Sequence, residues 1–313
     1  MDPLSDLLSL LKLRSYVSGG FNAGGDFAVQ FGRHDGIKFH AVISGECWVS
    51  VEDRSEPLRV REGECFLLPL GKAFRVSSDP SIEAVDVQSI LPATADGRII
   101  TYNGGGDFLS VGGYFTLSEG PADLLLSTLP SILHIHDSQN GETLRWCVER
   151  MRRELSDRQP GDFVVAQQLA TIVLVDALRS HLSQVSPERQ GWLVALSDTR
   201  LAAAITAFHQ APNERWTLVG LAREAAMSRT AFAVKFKKVV GVTPMDYLTR
   251  WRMLLAADLL TYSRQSLLEI GTSLGYESEK SFSAAFKRFM RCSPRQYGRK
   301  ARSGLYSKAP LAV

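Results

Sequence analysis

Cysteine is scarce in this 313-residue sequence, which has four cysteines with no CxxC pair and no regular spacing. This pattern excludes a disulfide framework, and we expect a reducing cytoplasm as the compartment. The start of the chain has no basic, apolar leader, and the longest apolar stretch, residues 163–182, is interrupted by charged and amide side chains. Such a stretch makes a poor membrane span, so we expect no membrane partner.

The composition has no extreme feature, with 45% hydrophobic, 22% charged and 9% aromatic residues. These values are typical of globular proteins, and the length leaves room for two domains. The net charge of +3 conceals an uneven distribution, because residues 1–195 carry 17 Lys and Arg against 25 Asp and Glu, whereas residues 196–302 carry 18 against 8. A basic region of domain size is typical of nucleic-acid-binding proteins.

The basic region contains an internal repeat, which appears when residues 216–250 are moved along the sequence by fifty positions. The matched pairs are Leu218 and Leu268, Ser228 and Ser278, Phe232 and Phe282, Phe236 and Phe286, Lys237 and Lys287, Lys238 and Arg288, Thr243 and Ser293, Pro244 and Pro294, and Tyr247 and Tyr297. A register of this kind rarely arises by chance, so we interpret the region as one structural unit written twice.

Each copy has the pattern of two helices separated by a tight turn. Apolar spacing predicts helices over 218–225 and 229–239 in the first copy, and over 267–274 and 278–289 in the second. A further helix over 245–262 would join the copies. In a helix-turn-helix unit the second helix enters the major groove of DNA. The predicted caps and stops are Ser228, Gly241 and Ser278.

These residues resemble the DNA-binding signature of the AraC/XylS-type transcriptional regulators over about residues 198–300. The matching positions include Trp216, Leu218, Leu221, Ala222, Ser228, Phe236, Gly241, Pro244, Tyr247, Arg252, Gly275, Tyr276, Phe282, Phe286, Pro294 and Tyr297. The resemblance implies a DNA-binding domain over residues 198–302, promoter DNA as a partner and RNA polymerase as a second partner.

The resemblance also implies that the outward faces of the two second helices touch DNA. Val234 and Ala284 stand where relatives often place arginine, so we expect thymine-methyl contacts from Ala233 and Val234, polar base contacts elsewhere, and some readout of DNA shape. Basic residues are expected at phosphates, with a solvated helix face as the alternative for each. The predicted DNA-binding residues are Arg229, Thr230, Ala233, Val234, Lys235, Lys237, Lys238, Glu279, Lys280, Ser281, Lys287, Arg288 and Arg295.

Short β-type runs over residues 27–116 predict a barrel or jelly roll. The segment 63–74 resembles the second cupin motif, but Phe74 occupies the position that is normally a metal-binding histidine. Of the first motif only His40 remains, with Lys38 close to it. A single imidazole does not hold zinc or iron, so we expect no metal, no cofactor and no catalysis. The predicted effector pocket is lined by His40, Trp48, Phe66 and Phe74.

Cupin-like barrels precede the DNA-binding unit in many AraC-type regulators, and here the resemblance covers residues 4–115. Helical patterns follow over 122–129, 142–155 and 162–182. The third carries an apolar stripe, interpreted either as core or as the seam of a homodimer; its residues are Leu169, Ile172, Val173, Val175 and Leu178. The predicted sensing and dimerisation domain spans 4–182, and the predicted linker spans 183–197.

We therefore expect an α+β multidomain protein with an N-terminal cupin-like β-barrel with helices and a C-terminal all-α tandem helix-turn-helix domain. The expected function is transcriptional regulation under the control of an unknown signal, such as a small-molecule effector. The family resemblance favours activation over repression. Three alternatives stay open. They are a cupin-type metalloenzyme fused to a DNA-binding tail, an N-terminal half that only oligomerises, and a thiol switch between Cys47 and Cys65.

Overall fold

A computed structural model describes residues 2–90, 99–117, 125–126, 128–136, 141–157, 159–184 and 190–302. Contacts divide the chain into two compact units. Within the described residues, the barrel unit comprises residues 14–117 and 129–181, and the helical unit comprises residues 2–13, 125–128 and 182–302. Every strand of the described residues belongs to the barrel unit, which confirms the predicted α+β multidomain fold.

Helix α1 (Pro3–Leu11) begins the chain and belongs to the helical unit. The strands that follow are β1 (Arg14–Ala23), β2 (Ala28–Phe31), β3 (Ile37–Ser44), β4 (Glu46–Val51), β5 (Leu58–Arg61), β6 (Cys65–Leu68), β7 (Phe74–Ser77), β8 (Val85–Asp86), β9 (Ile99–Tyr102), β10 (Phe108–Thr116) and β11 (Leu133–Ile135), with the single-turn helix α2 (Val87–Ile90) after β8. They form a six-stranded sheet in the order β11-β6-β3-β10-β1-β9 and a five-stranded sheet in the order β5-β4-β7-β2-β8.

The apolar core of the barrel unit draws on both sheets. Its buried members are Ala23, Phe27, Val42, Cys47, Val49, Val51, Val60, Phe66, Leu68, Phe74, Val76, Phe108 and Ile132. Successive side chains of a strand point to opposite faces, so the burial of Cys47 and Val49 on β4 places Trp48 on the other face. This placement corrects the prediction that Trp48 lines the pocket, because its side chain does not face this core.

Helices α3 (Gly141–Asp157) and α4 (Asp162–Gln184) confirm two of the three helical patterns. The third, over 122–129, lies mostly outside the described residues. Leu169 and Val173 on α4 are 4% and 2% exposed, so the structure assigns these two positions of the apolar stripe to the core rather than to an open seam. The apolar side chains that α4 leaves exposed are Phe163, Val164, Val165 and Ile172.

By length and composition, α4 could also cross a membrane. A core helix passes the same test, and seven residues of α4 are buried, which are Ala166, Leu169, Ala170, Val173, Leu174, Ala177 and Leu178. We therefore interpret α4 as a core helix.

The remaining helices belong to the helical unit. They are α5 (Trp192–Ser197), α6 (Thr199–Gln210), α7 (Leu218–Glu224), α8 (Arg229–Val240), α9 (Pro244–Tyr262), α10 (Leu267–Ser273), α11 (Glu279–Met290) and α12 (Pro294–Arg302). Helix α5 occupies the end of the predicted linker 183–197, in which residues 185–189 lie outside the described part of the chain.

Helix α1 packs against α6 and α9 within the helical unit. Leu7 and Leu11 are fully buried, and the Asp2 side chain caps the helix by accepting a hydrogen bond from the Ser5 amide at 3.0 Å. The Lys12 ammonium lies 3.1 Å from the Asp258 carboxylate on α9. The sequence prediction grouped residues 4–182 in one domain, whereas these contacts join α1 to the C-terminal helices.

Candidate nucleic-acid interface and barrel pocket

Helices α7 and α8 form the first helix-turn-helix unit. Thr217 caps α7 by accepting a hydrogen bond from the Gly220 amide at 3.0 Å, and Ser228 caps α8 by accepting one from the Ala231 amide at 3.3 Å. Gly241 ends α8 in the left-handed conformation, with φ 87°. The predicted serine cap and glycine stop are both confirmed.

Helices α10 and α11 form the second unit. Ser266 and Glu269 make a capping box at the start of α10, in which Ser266 accepts from the Glu269 amide at 3.2 Å and Glu269 accepts from the Ser266 amide at 2.7 Å. Ser278 caps α11, as predicted, by accepting from the Ser281 amide at 3.1 Å. Both helix starts are thus fixed by local side chains.

The repeat has two registers rather than one. The first helices correspond at a spacing of 49 residues, because Leu218 begins α7 and Leu267 begins α10, whereas the second helices correspond at 50. The predicted pairing of Leu218 with Leu268 is therefore displaced by one residue. The turn between α10 and α11 is one residue longer than the turn between α7 and α8, and Glu277 is the additional residue.

Each unit is closed by a phenylalanine pair from its second helix. Phe232 and Phe236 of α8 and Phe282 and Phe286 of α11 are all 0% exposed. The two rings lie 5.5 Å apart in the first unit and 5.8 Å apart in the second. The predicted core role of these aromatics is confirmed, and it turns the opposite side of each second helix outward.

A buried polar cluster lies behind the first unit. The Tyr247 hydroxyl is 2.8 Å from Nε2 of His209 and accepts a hydrogen bond from the Trp192 indole at 2.7 Å. The other ring nitrogen of His209 is 3.3 Å from the Asp6 carboxylate of α1, and the imidazole stacks on Trp251 at 3.6 Å. Burial lowers the pKa of His209 to about 3, so the ring is neutral at pH 7. We assign this cluster to packing.

The predicted DNA-binding residues lie on the outward side of α8 and α11 and at the start of α12. Ala233 and Lys235 are half-buried and the other eleven are exposed: Arg229, Thr230, Val234, Lys237, Lys238, Glu279, Lys280, Ser281, Lys287, Arg288 and Arg295. Val234 is 64% exposed, although it is a large apolar side chain. The structure therefore brings the predicted residues together as two similar exposed faces.

Two of the predicted phosphate contacts already have carboxylate partners. Lys235 makes a salt bridge with Asp198, and Arg295 lies 3.7 Å from the Glu279 carboxylate. Among the described residues, the other predicted cations of α8 and α11 have no carboxylate within 4 Å. These free cations are Arg229, Lys237, Lys238, Lys280, Lys287 and Arg288. Positive charge that is not neutralised within the protein remains available to phosphates.

The predicted effector pocket is only partly assembled. The His40 ring stacks on Phe66 at 5.0 Å and meets Phe74 edge-on at 5.6 Å, so three of the four predicted residues are neighbours. Trp48 lies elsewhere, with the Arg59 guanidinium 5.7 Å from its ring. The sequence reasoning missed that His34 and Lys38 also reach Phe74. The period of β3 could have indicated Lys38, because Lys38 and His40 share one strand face.

Two further groups of side chains in the barrel unit could carry chemistry, the cysteines Cys47 and Cys65 and the histidines His134 and His136. Cys47 and Cys65 are buried and free, on strands of different sheets, and burial raises the pKa of Cys47 to about 12. His134 lies 2.9 Å from the Glu64 carboxylate, and its ring is 5.1 Å from that of His136. Within the described ranges, no three His, Cys, Asp or Glu side chains are grouped as metal ligands would be.

Comparisons with known proteins agree with this architecture. The Cupin family matches residues 2–183, and a helix-turn-helix domain family matches residues 221–300. A Streptomyces lividans protein with the provisional name AraC-like transcription regulator is 40% identical over 298 residues, which are 95% of this chain and 98% of that protein. The HTH-type transcriptional regulator AlkR of Acinetobacter baylyi is 30% identical over 306 residues, 95% and 99% of the two chains.

Among solved structures, the DNA-binding domain of AdpA in complex with a target DNA is 28% identical, with a TM-score of 0.32, and the match covers 37% of this chain and 100% of that one. The cupin barrel and the tandem helix-turn-helix unit define a DNA-binding transcription regulator with an N-terminal cupin domain. Within that class, the chain belongs to the AraC-like transcription regulators.

Proposed function

We propose that this regulator binds promoter DNA through both helix-turn-helix units at once and activates transcription together with RNA polymerase. The single observation that supports bipartite binding is that α8 and α11 expose the same twelve-residue pattern of buried and exposed positions. Two equivalent faces joined by α9 suit two successive major grooves on one side of the duplex, about 10 to 10.5 bp apart.

On each face, some side chains would supply sequence specificity and others would supply affinity. Thr230, Ala233 and Val234 of α8 would read bases, with the two apolar side chains against thymine methyl groups. On α11, Lys280 and Ser281 would supply polar base contacts. The free cations defined above, apart from Lys280, would hold the phosphates, and Lys235 would contribute less because Asp198 already neutralises it.

The barrel unit, in this proposal, binds a signal and catalyses no reaction, and the protein acts in the cytoplasm. Phe74 fills the position where a cupin metalloenzyme has a histidine ligand, and its ring is 1% exposed within the apolar core. A metal there would lack the nitrogen ligand that this histidine supplies. Elemental analysis of protein purified without an affinity tag tests this point, and one equivalent of transition metal lost in His40→Ala would contradict it.

A homodimer is the assembly we propose, with its contact on the exposed side of α4. Val164 and Ile172 are 60% and 42% exposed, and apolar surface of this kind is commonly covered by a partner. Val164→Glu and Ile172→Glu should yield folded monomers in analytical ultracentrifugation. Val219→Glu, at a 54% exposed apolar position of the helical unit, is the control and should leave the dimer intact. Dimers that persist in both α4 variants would contradict this assignment.

The DNA-binding proposal is tested by the salt dependence of binding to genomic fragments that the purified protein selects. Lys237→Ala and Lys287→Ala should weaken binding to all fragments and flatten the dependence of log K on log salt concentration by about one unit each. Thr230→Ala and Lys280→Ala should instead change sequence preference. Lys72→Ala, in the barrel unit, is the matched control. Equal affinity for every fragment at physiological salt would overturn sequence-specific binding.

A further inference from the structure

Three basic side chains of the barrel unit surround the phenyl ring of Phe74. The His34 ring lies 6.1 Å from it edge-on, the His40 ring 5.6 Å, and the Lys38 ammonium 5.5 Å from its centre. Phe31 stacks on Phe74 at 4.5 Å with an angle of 2° between the rings. We call His34, Lys38 and His40 the basic cluster, and we call the stacked rings of Phe31 and Phe74 the phenyl platform.

The chain holds the cluster in place through backbone contacts. His34 lies in the turn between β2 and β3, and its amide donates a hydrogen bond to the Gly71 carbonyl at 3.0 Å, which ties this turn to the segment before β7. His40 lies against Gly112 of β10, where a Cβ atom would come within 2.8 Å of its Nδ1 atom. The imidazole therefore depends on a glycine for its position, with Phe66 on its other side.

The cluster carries hydrogen-bonding capacity that the protein does not use. Both ring nitrogens of His34 are buried and have no hydrogen-bond partner of ordinary geometry. Lys38 is half-buried, and among the described residues it has no carboxylate within 4 Å; its ammonium lies 5.3 Å from the centre of the Phe31 ring. A buried donor without a partner costs about 1–3 kcal/mol, so a ligand that satisfies these groups has a favourable site.

The charge state of the cluster selects the sign of that ligand. Burial, with the neighbouring Lys38 charge, lowers the pKa of His34 to about 4 and that of His40 to about 3. Burial also lowers the pKa of Lys38. At pH 7 the two imidazoles are thus neutral N–H donors beside one lysine. Asp35 is an exposed neighbour of His34 and makes no ion pair with Lys38.

We propose that the basic cluster binds a small organic carboxylate, whose oxygens accept hydrogen bonds from the cluster and whose apolar part lies against Phe31, the less buried of the two phenyl rings. A carboxylate has two acceptor oxygens, which suits a lysine flanked by two imidazoles. The proposal rests on the proposed sensing role of the barrel unit, because it names the class of signal that this unit would bind.

Isothermal titration calorimetry of the full-length protein tests this with three probes of similar shape, which are phenylacetate, the neutral phenylacetamide and the cationic phenethylamine. We expect phenylacetate to bind and the other two to bind at least about tenfold more weakly. Lys38→Met should weaken phenylacetate binding about tenfold or more. Lys72→Met, which removes a lysine of the same unit that already pairs with Asp53, should leave binding unchanged.

A second readout needs no variant. The ring protons of His34 and His40 should shift in NMR spectra on addition of phenylacetate and not of phenylacetamide. Equal binding of the neutral probe, or no binding of phenylacetate, would overturn the carboxylate site. Inorganic phosphate that binds as tightly as phenylacetate would overturn the role of the phenyl platform. Promoter binding without the probes is a separate measurement, so its loss would contradict the proposed regulator and not the ligand class.

Discussion

The two helix-turn-helix units have equivalent cores, but they differ at the ends of their helices. Across their twelve residues, α8 and α11 have the same sequence of buried, half-buried and exposed positions. Their first helices, α7 and α10, differ in burial class at one position of seven. The apolar positions of a short helical unit are thus enough to define its packing, while turns, caps and charges are free to diverge.

The ends of the units differ in which residue adopts the left-handed backbone conformation. In the turn after the first helix, Ala226 has φ 50° in the first unit, and the equivalent Gly275 has φ 81° in the second. After the second helix the order is reversed, because Gly241 has φ 87° and Arg291 has φ 59°. Residues with a Cβ atom are strained in this region, so each unit carries one strained residue and one glycine.

Truncating a core phenylalanine in each unit should produce the largest loss of stability, and it tests whether the two units are equivalent. Phe232→Ala and Phe282→Ala should each lower the free energy of unfolding by about 3–5 kcal/mol, because both rings are fully buried. Hydrogen exchange of amides in the mutated unit measures this loss. Val219→Ala and Leu268→Ala, at positions 54% and 52% exposed, are matched controls and should change stability by less than about 0.5 kcal/mol. If one phenylalanine variant lost much less stability than the other, the two units would not be equivalent.

Adding a Cβ atom at the second turn should have the next largest effect. In Gly275→Ala the new atom would lie 2.5 Å from the Asn213 carbonyl oxygen in a left-handed backbone. We expect a loss of about 2 kcal/mol or more, measured by denaturant unfolding of the full chain. Ala226→Gly at the equivalent position is the control, and it should be neutral or stabilise by up to about 1 kcal/mol. Equal tolerance of alanine at both positions would contradict the correspondence of the two turns.

Replacing Arg291, which has a left-handed backbone conformation, should have the smallest effect on stability. Arg291→Gly should stabilise the second unit by up to about 1 kcal/mol, because glycine adopts φ 59° without a Cβ penalty. The unfolding midpoint in the absence of DNA reports this gain. Gly241→Ala should lower stability by a similar amount, although among the described residues no atom beyond its chain neighbours lies within 4 Å of the new Cβ position. Opposite signs for the two substitutions sharpen the comparison, and the same sign would contradict it.

The helical unit was largely predictable from its sequence because its signals are local. Helical spacing, Ser228, Ser278 and Gly241 act within one or two turns of the chain, and they gave the helix ends to within about two residues. The one-residue difference in register could not be predicted, because either spacing pairs similar leucines. The contacts of α1 with α6 and α9 could not be predicted either, since some two hundred residues separate these helices.

The barrel unit was less predictable because its pocket is assembled from distant strands. The alternation of Cys47, Trp48 and Val49 along β4 is enough to place Trp48 away from the core. His34 reaches Phe74 only because two loops meet, which no local pattern indicates. On α4, a stripe that suits a dimer seam equally suits a core, and the structure buries Leu169 of this stripe while it leaves Ile172 exposed.

Simultaneous binding of both units to one face of DNA is the central claim, and hydroxyl-radical footprinting on a selected promoter fragment tests it most directly. We predict two protected clusters about 10 to 10.5 bp apart. Lys287→Ala should weaken one cluster and Lys237→Ala the other, and an insertion of about half a helical turn between the clusters should remove one of them. A single protected cluster, to which both substitutions contribute equally, would contradict the account.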